Sequence, residues 1–296
     1  LYVFTDQQSA TAMSCAGNAD LHTPNMDALA ARGVRFSDAY CSQPLCTPCR
    51  SSMFTGVMPH QCGCPVNNRS IDEQYRAREL GNLLRNAGYD CGYGGKWHLP
   101  DYTMRDPEEH GFRLVSTFGD DKLAANSIAC LEEERDRPFF LVASFDNPHN
   151  ICEWSRGQAL PWGAIEERPV EQCPSLPANF ARSPFASEFL DIAQRASPQV
   201  HAGDRPSPER WRQFRNAYFR LVERVDGEIG KILRALERLG LADNTIVIFS
   251  SDHGDGEGAH MWNNKQALYE ESVRVPLIVA GPGIGRGRVV SQPVSE

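Results

Sequence analysis

The densest run of reactive side chains is Cys41-Ser42-Gln43-Pro44-Leu45-Cys46-Thr47-Pro48-Cys49-Arg50, followed by Cys62 and Cys64. Four chemistries compete for it. Cys46 and Cys49 have the spacing of zinc ligands, and Cys62 with Cys64 would complete a four-thiolate site. The single residue between the second pair makes a poor chelating turn. Cys-Thr-Pro-Cys also fits a C-x-x-C dithiol, but its flanks lack the strand-to-helix context of a thioredoxin fold. Inert buried thiols are a third reading. The fourth uses more of the residues: Thr47 caps a helix with Pro48 at its first position and Cys49, Arg50 and Ser51 in its first turn. Cys46 then stands just before a helix N-terminus, where backbone N–H groups favour an anion, and Arg50 adds a fixed positive charge. Such a setting suits a reactive group held against an anionic substrate.

Other chemistry-bearing residues recur where apolar runs stop. Tyr2-Val3-Phe4 leads to Asp6 and Gln7, Cys91 to Gly94 leads to Lys96 and His98, Phe139 to Phe145 leads to His149, and Thr245 to Phe249 leads to Asp252 and His253. Helical patterns separate these runs. Thr23-Pro24 opens one that passes through Ala31 and stops at Gly33, and Leu80, Leu83, Leu84 and Ala87 mark a second that ends at Gly88. The clearest spans about Pro208 to Leu239, with an apolar stripe of Phe214, Tyr218, Leu221, Val225, Ile229, Ile232 and Leu236. Val275 to Ala280 forms a last strand. Strands alternating with helices predict an α/β fold with a largely parallel sheet, in which ligands gather outside the carboxyl ends of the strands. Asp6, Lys96, His98, His149, Asp252 and His253 then converge on one sheet edge. Two buried carboxylates at that edge need a cation or donors, and beside Gln7 and His253 they suggest a divalent metal site.

Composition sets the outer bounds. At 296 residues and 41% hydrophobic, the chain can bury one sizeable core or two modest ones. A net charge of -8 argues against nucleic-acid binding, because the surface repels polyanions at long range. No apolar run approaches the roughly 20 residues that span a bilayer. The ten cysteines do not decide the redox compartment. Between Cys152 and Pro208 the periodicity dissolves, and so long an irregular stretch reads as a substrate-pocket loop or lid. Trp154, Trp162 and nearby arginines there could shape its pocket.

Cys46-Thr47-Pro48-Cys49-Arg50-Ser51-Ser52-Met53-Phe54-Thr55-Gly56 resembles the signature of the type I, formylglycine-dependent sulfatases, Cys-x-Pro-x-Arg followed by Thr-Gly. Further blocks similar to that family follow in order: Thr23-Pro24-Asn25-Met26-Asp27, Gly95-Lys96-Trp97-His98, Pro148-His149, Ser251-Asp252-His253-Gly254, and Tyr269-Glu270-Glu271 with Arg274-Val275-Pro276. The resemblance covers nearly the whole chain. It implies the alkaline-phosphatase-like fold, a central and largely parallel sheet flanked by helices. Residues 1–296 would be the N-terminal catalytic domain of a longer protein, whose smaller C-terminal subdomain lies beyond Glu296.

The resemblance also implies roles. Cys46 would be oxidised to formylglycine by a separate formylglycine-generating or sulfatase-maturating enzyme. Asp6, Gln7, Asp252 and His253 would hold a divalent metal. Many members have Asp in place of Gln7 and Asn in place of His253. Calcium is the usual family ion; a nitrogen ligand leaves Mg²⁺ or Mn²⁺ open. Lys96 and Lys265 would contact sulfate oxygens, with Arg50 beside them. His98 would orient the formylglycine, and His149 would contact the sulfate or the leaving oxygen. Asn67, or Asn68 instead, would face the substrate. The implied activity is sulfuric ester hydrolysis, on a sulfated carbohydrate or another small ester, in a periplasmic or secreted protein. The alternatives are a phosphonate monoester or phosphodiester hydrolase of the same superfamily and a non-catalytic zinc- or glycan-binding protein.

Overall fold

A computed structural model describes residues 1–196 and 207–295 of the chain. Nine strands form one sheet among these residues: β1 (Tyr2–Asp6), β2 (Gly33–Tyr40), β3 (Asp90–Gly95), β4 (Arg113–Ser116), β5 (Phe139–Pro148), β6 (Val247–Ser251), β7 (Arg274–Ala280), β8 (Arg288–Val290) and β9 (Val294–Ser295). Their order is β4-β3-β5-β1-β6-β7-β2-β8, with β9 also paired to β2. Every pairing is parallel except those of β7, which runs antiparallel to both β6 and β2. All the other strands therefore point one way. Their carboxyl ends share an edge with the start of β7.

The helices are α1 (Pro24–Arg32), α2 (Cys46–Thr55), α3 (Leu80–Asn86), α4 (Asp120–Glu132), α5 (Ile151–Ser155), α6 (Glu188–Ala196), α7 (Pro208–Arg238) and α8 (Glu270–Val273). Strand periodicity splits the central apolar runs between two cores. Val3, Leu141 and Ala143 join the α7 stripe on one face. Tyr2, Phe4 and Val142 join Phe54, Tyr93, Trp97 and Phe112 on the other. Burial on both faces explains why the central strands read as continuous apolar runs rather than alternating ones. Each fully buried aromatic contributes about 1.5–3 kcal/mol relative to exposure.

Several boundaries differ from the sequence reading for local reasons. α2 starts at Cys46 with Leu45 as its N-cap, so Thr47 is not the cap. Its hydroxyl is drawn instead to the His98 carbonyl, at 2.6 Å. Thr23 does not cap α1 through its side chain either; its Oγ1 accepts from the Ser14 N–H at 2.9 Å. Leu83, expected in an apolar stripe, is more than half exposed. At the end of β3, Gly95 has φ +93°, and a Cβ there would meet the Ser144 carbonyl oxygen at 2.0 Å. Only glycine lets the chain turn that close to β5 and aim Lys96 inward. Of the irregular stretch expected at 152–208, residues 197–206 lie outside those described.

Candidate active site

Five strand ends meet at one edge of the sheet. Asp6 ends β1, Lys96 and His98 follow β3, His149 follows β5, and Asp252 and His253 follow β6. The loop after β2 brings in α2 with Cys46 and Arg50; the apolar-run pattern did not place α2 at this edge, although the resemblance grouped both residues with the strand-end side chains. Lys265 enters on the connection between β6 and α8.

Arg50 is the hub. It is completely buried; its Nε donates to Asp252 Oδ2 at 2.7 Å and its Nη2 to Asp6 Oδ2 at 3.0 Å. Nη1 reaches the Lys96 carbonyl at 2.6 Å and Ser144 Oγ at 3.0 Å. Lys96 Nζ bridges Asp6 Oδ2 at 2.7 Å and Asp146 Oδ1 at 2.8 Å. A buried ion pair must satisfy nearly every donor to offset its desolvation, and this network does.

Cys46 Sγ lies 2.9 Å from Lys265 Nζ, 3.3 Å from His253 Nε2 and 3.7 Å from Asp6 Oδ1. Burial and the Asp6 charge push the thiol up, but Lys265, Lys96 and His253 overcome both and hold it well below its ordinary value. Burial likewise opposes the Asp6 charge, yet Lys96, His149, Lys265 and Arg50 keep that carboxyl well below the usual range. Asp252 moves the other way, raised by burial and by the neighbouring Asp6. For His253, burial disfavours the cation, but the Asp252 charge prevails and lifts it to about 9.

With both Oδ2 atoms held by Arg50, the Oδ1 atoms of Asp6 and Asp252 each lie 3.6 Å from His253 Nε2. Asp6, Cys46, Asp252 and His253 form the one group of three or more metal-donor Asp, Glu, His or Cys side chains found among the described residues. Two carboxylates and an imidazole, all buried and aimed at one another, fit a divalent cation by donor chemistry. Gln7 borders this group with its backbone, whose N–H donates to Asp252 Oδ1 at 3.2 Å. Its side-chain amide donates to Asp255 Oδ2 at 2.7 Å, while Oε1 has only the Cys152 thiol at 3.9 Å. The four-thiolate reading fails here: Cys49 packs with Cys41, Ala39 and Val275, and Cys62 and Cys64 lie in the aromatic core.

His98 adopts φ +60°, stacks on Tyr102 at 4.4 Å between ring centroids, and leaves its buried Nδ1 without a partner. His149 is partly exposed at the rim, its Nδ1 3.9 Å from Asp146 Oδ1. Asn67 is set further back, where its Oδ1 accepts the Thr47 N–H at 3.0 Å. Asp146 was missed by the sequence reading although it carries the same signal as Asp6 and Asp252, a carboxylate ending an apolar run. Asp255 and Cys152, which hold the Gln7 side chain, gave no such signal.

The sulfatase family matches this chain along residues 1–296. A Delta 4,5-hexuronate-2-O-sulfatase of Bacteroides thetaiotaomicron is 30% identical over 96% of this chain and 62% of its own length. A choline-sulfatase of Rhizobium meliloti is also 30% identical, over 92% and 60%. A solved 2-O GAG sulfatase superposes with a TM-score of 0.83 at 27% identity, covering 99% of this chain and 66% of that one. A phosphonate monoester hydrolase of Agrobacterium radiobacter shares the fold, with a TM-score of 0.78 at 24% identity, 99% of this chain and 71% of that one. The chain spans roughly three-fifths of the length of the curated relatives it matches. It belongs to the sulfatase family, and its mostly parallel sheet flanked by helices is the alkaline-phosphatase-like fold.

Proposed function

We propose that residues 1–296 are the catalytic part of a sulfuric ester hydrolase in which Cys46, converted to formylglycine by a maturating enzyme, is the nucleophile. The observation that carries this reading is the position of Cys46, at the first turn of α2 against Lys265, His253 and Asp6. Formylglycine, as its hydrate, would supply two hydroxyls, one to attack sulfur and one whose deprotonation frees the sulfate. Asp6, Asp252 and His253, with Gln7 Oε1 as a fourth donor, would hold a divalent cation, which would supply Lewis-acid stabilisation of negative charge beside position 46. Calcium is the family expectation, and the imidazole donor keeps Mg²⁺ and Mn²⁺ in contention.

Charge, burial and the family resemblance support the remaining roles. Lys265, Lys96 and Arg50 put three buried positive charges around position 46, where negative charge on a transferring sulfuryl group is best stabilised. His149, at the rim, or Lys265 would protonate the leaving alcohol. His98, whose buried Nδ1 has no partner, would accept a proton from the residue at position 46, as the family resemblance implies. A sulfated carbohydrate is the favoured substrate, because curated relatives carry names such as hexuronate-2-O-sulfatase and N-acetylglucosamine-6-O-sulfatase.

The test uses the full-length protein matured in its native host. Mass spectrometry of the Cys46 peptide should show thiol-to-aldehyde conversion, and an aryl sulfate should be turned over faster than a phenylphosphonate monoester or a phosphodiester. A wholly unmodified Cys46, or a dominant phosphonate rate, would overturn the assignment.

A further inference from the structure

A line of aromatic side chains leads away from the catalytic centre. It starts on His98, whose ring stacks on Tyr102 at 4.4 Å with only 23° between the planes. Tyr102 meets Phe118 at 5.2 Å, and Phe118 meets Trp162 at 5.9 Å. Lys96 Nζ, 5.3 Å from the Tyr102 ring centroid, fixes the inner end. Tyr102 is 46% exposed and Phe118 37%. Aromatic side chains lined up in contact and open to solvent are not explained by core packing, and they mark a binding surface.

Trp162, at the outer end, lines a cavity of about 290 Å³ together with Asp121, Asn147, Arg224 and Glu228. Two polar atoms of this lining have no partner. Asn147 is fully buried, its amide nitrogen donates to Asp120 Oδ2 at 2.8 Å, and its Oδ1 is left unmatched. Arg224 spends Nη2 on the Ala164 carbonyl, while its Nη1 is buried and unmatched. An unmatched buried acceptor and donor each cost free energy unless a ligand satisfies them.

We infer that the strip Tyr102–Phe118–Trp162 and this cavity form a subsite for a neutral sugar ring joined to the sulfated one. The inference rests on the sulfatase reading for the position of the ester, beside Cys46. The chemistry selects the ligand. Flat apolar faces followed by scattered donors and acceptors match a ring with C–H faces and a hydroxyl edge. Charge narrows it further: of the lining carboxylates, Asp120 already accepts from Asp146 and Asn147 and Glu228 is paired with Lys231 at 2.6 Å, which leaves Asp121 opposite the cation Arg224. A second sulfate or a uronate there would find one cation already balanced by Asp121, whereas hydroxyls can donate to Asp121 and accept from Arg224.

Binding is measured by calorimetry on the full-length Cys46→Ala variant, so that it does not depend on turnover. The probes are monosulfated disaccharides in which a hexose 2-, 4- or 6-sulfate is joined to a neutral hexose, each compared with its parent hexose sulfate. At least one disaccharide should bind about tenfold more tightly than its parent. Phe118→Ala with Trp162→Ala should erase that gain, and Trp162→Phe should keep most of it, with thermal melts unchanged because both side chains are partly exposed. No gain over any parent, or a gain that survives the double substitution, would overturn the subsite. Turnover of an aryl sulfate by the matured enzyme is scored separately. Its absence alongside an intact disaccharide gain would refute sulfate hydrolysis and leave the subsite standing.

Discussion

Cys46 and Cys49 stand three residues apart on α2, and both are completely buried. Their environments are opposite. Cys46 faces Lys265, Lys96 and His253 and is held well below its ordinary pKa against burial and Asp6. Cys49 packs with Cys41, Ala39 and Val275, and its hydrogen bond with Cys41, then burial, push it well up. The same contrast separates two buried acids. Asp6 is ringed by Lys96, Lys265 and Arg50. Glu257 has Arg215 at 3.7 Å as its cation, and burial pushes it up to about 7. Burying cations costs several kcal/mol each, and a well-packed apolar centre is usually at least as stable. Concentrating Arg50, Lys96 and Lys265 around one side chain is therefore a functional expense. The two regions differ in where the chain places its positive charge, not in how deeply they are buried.

The sharpest way to break this comparison is to remove each thiol. Cys46→Ala should lower kcat for an ester substrate by about 10⁴-fold or more, as loss of a nucleophile does. Cys49→Ala should instead cost about 1 kcal/mol of stability, typical of a small core deletion, visible in urea unfolding. Equal losses of kcat in the two variants would mean that the charged centre is not what sets them apart.

Much of this centre was legible because strand ends are. Apolar runs that stop at a carboxylate, lysine or histidine located Asp6, Lys96, His149 and Asp252 from pattern alone, and the shared direction of β1, β3, β5 and β6 brings them together. What pattern could not supply was competition between local partners. Thr47 has the residue type and position of a helix cap, yet the His98 carbonyl claims its hydroxyl. Gln7 follows Asp6 directly at a positive φ of 73°, and its amide nitrogen is engaged by the carboxylate of Asp255. Both partners are distant in sequence. The direction of β7 was equally illegible, since direction is not encoded in an apolar run; its reversal places Lys265 and α8 at the active edge.

Glu257 offers a smaller test with a defined sign. Its folded pKa, about 7, lies above the ordinary 4.5, so folding favours the protonated acid. Its contribution is fully present below about pH 4.5 and is lost as pH rises through 7. Glu257→Gln keeps the neutral form at every pH. The variant should match the wild type near pH 4.5 and exceed it at pH 8 by up to about 3 kcal/mol in urea unfolding. A wild type that is the more stable of the two at pH 8 would show that Arg215 compensates Glu257 as fully as the central cations compensate Asp6.

The smallest effect concerns how Cys46 is presented. Leu45, the N-cap of α2, has no side-chain acceptor, and Asn67 supplies one from a distant loop by taking the Thr47 N–H. Asn67→Ala should therefore cost about 1 kcal/mol, the usual worth of a lost cap, as a lower midpoint in urea. Asn67→Asp keeps the acceptor and places a negative charge at a helix N-terminus, so stability should return. The same charge would oppose an anionic ester bound against Asn67. A restored midpoint with a raised KM would assign Asn67 both tasks, whereas a restored midpoint with KM unchanged would confine it to holding the first turn of the helix that carries Cys46.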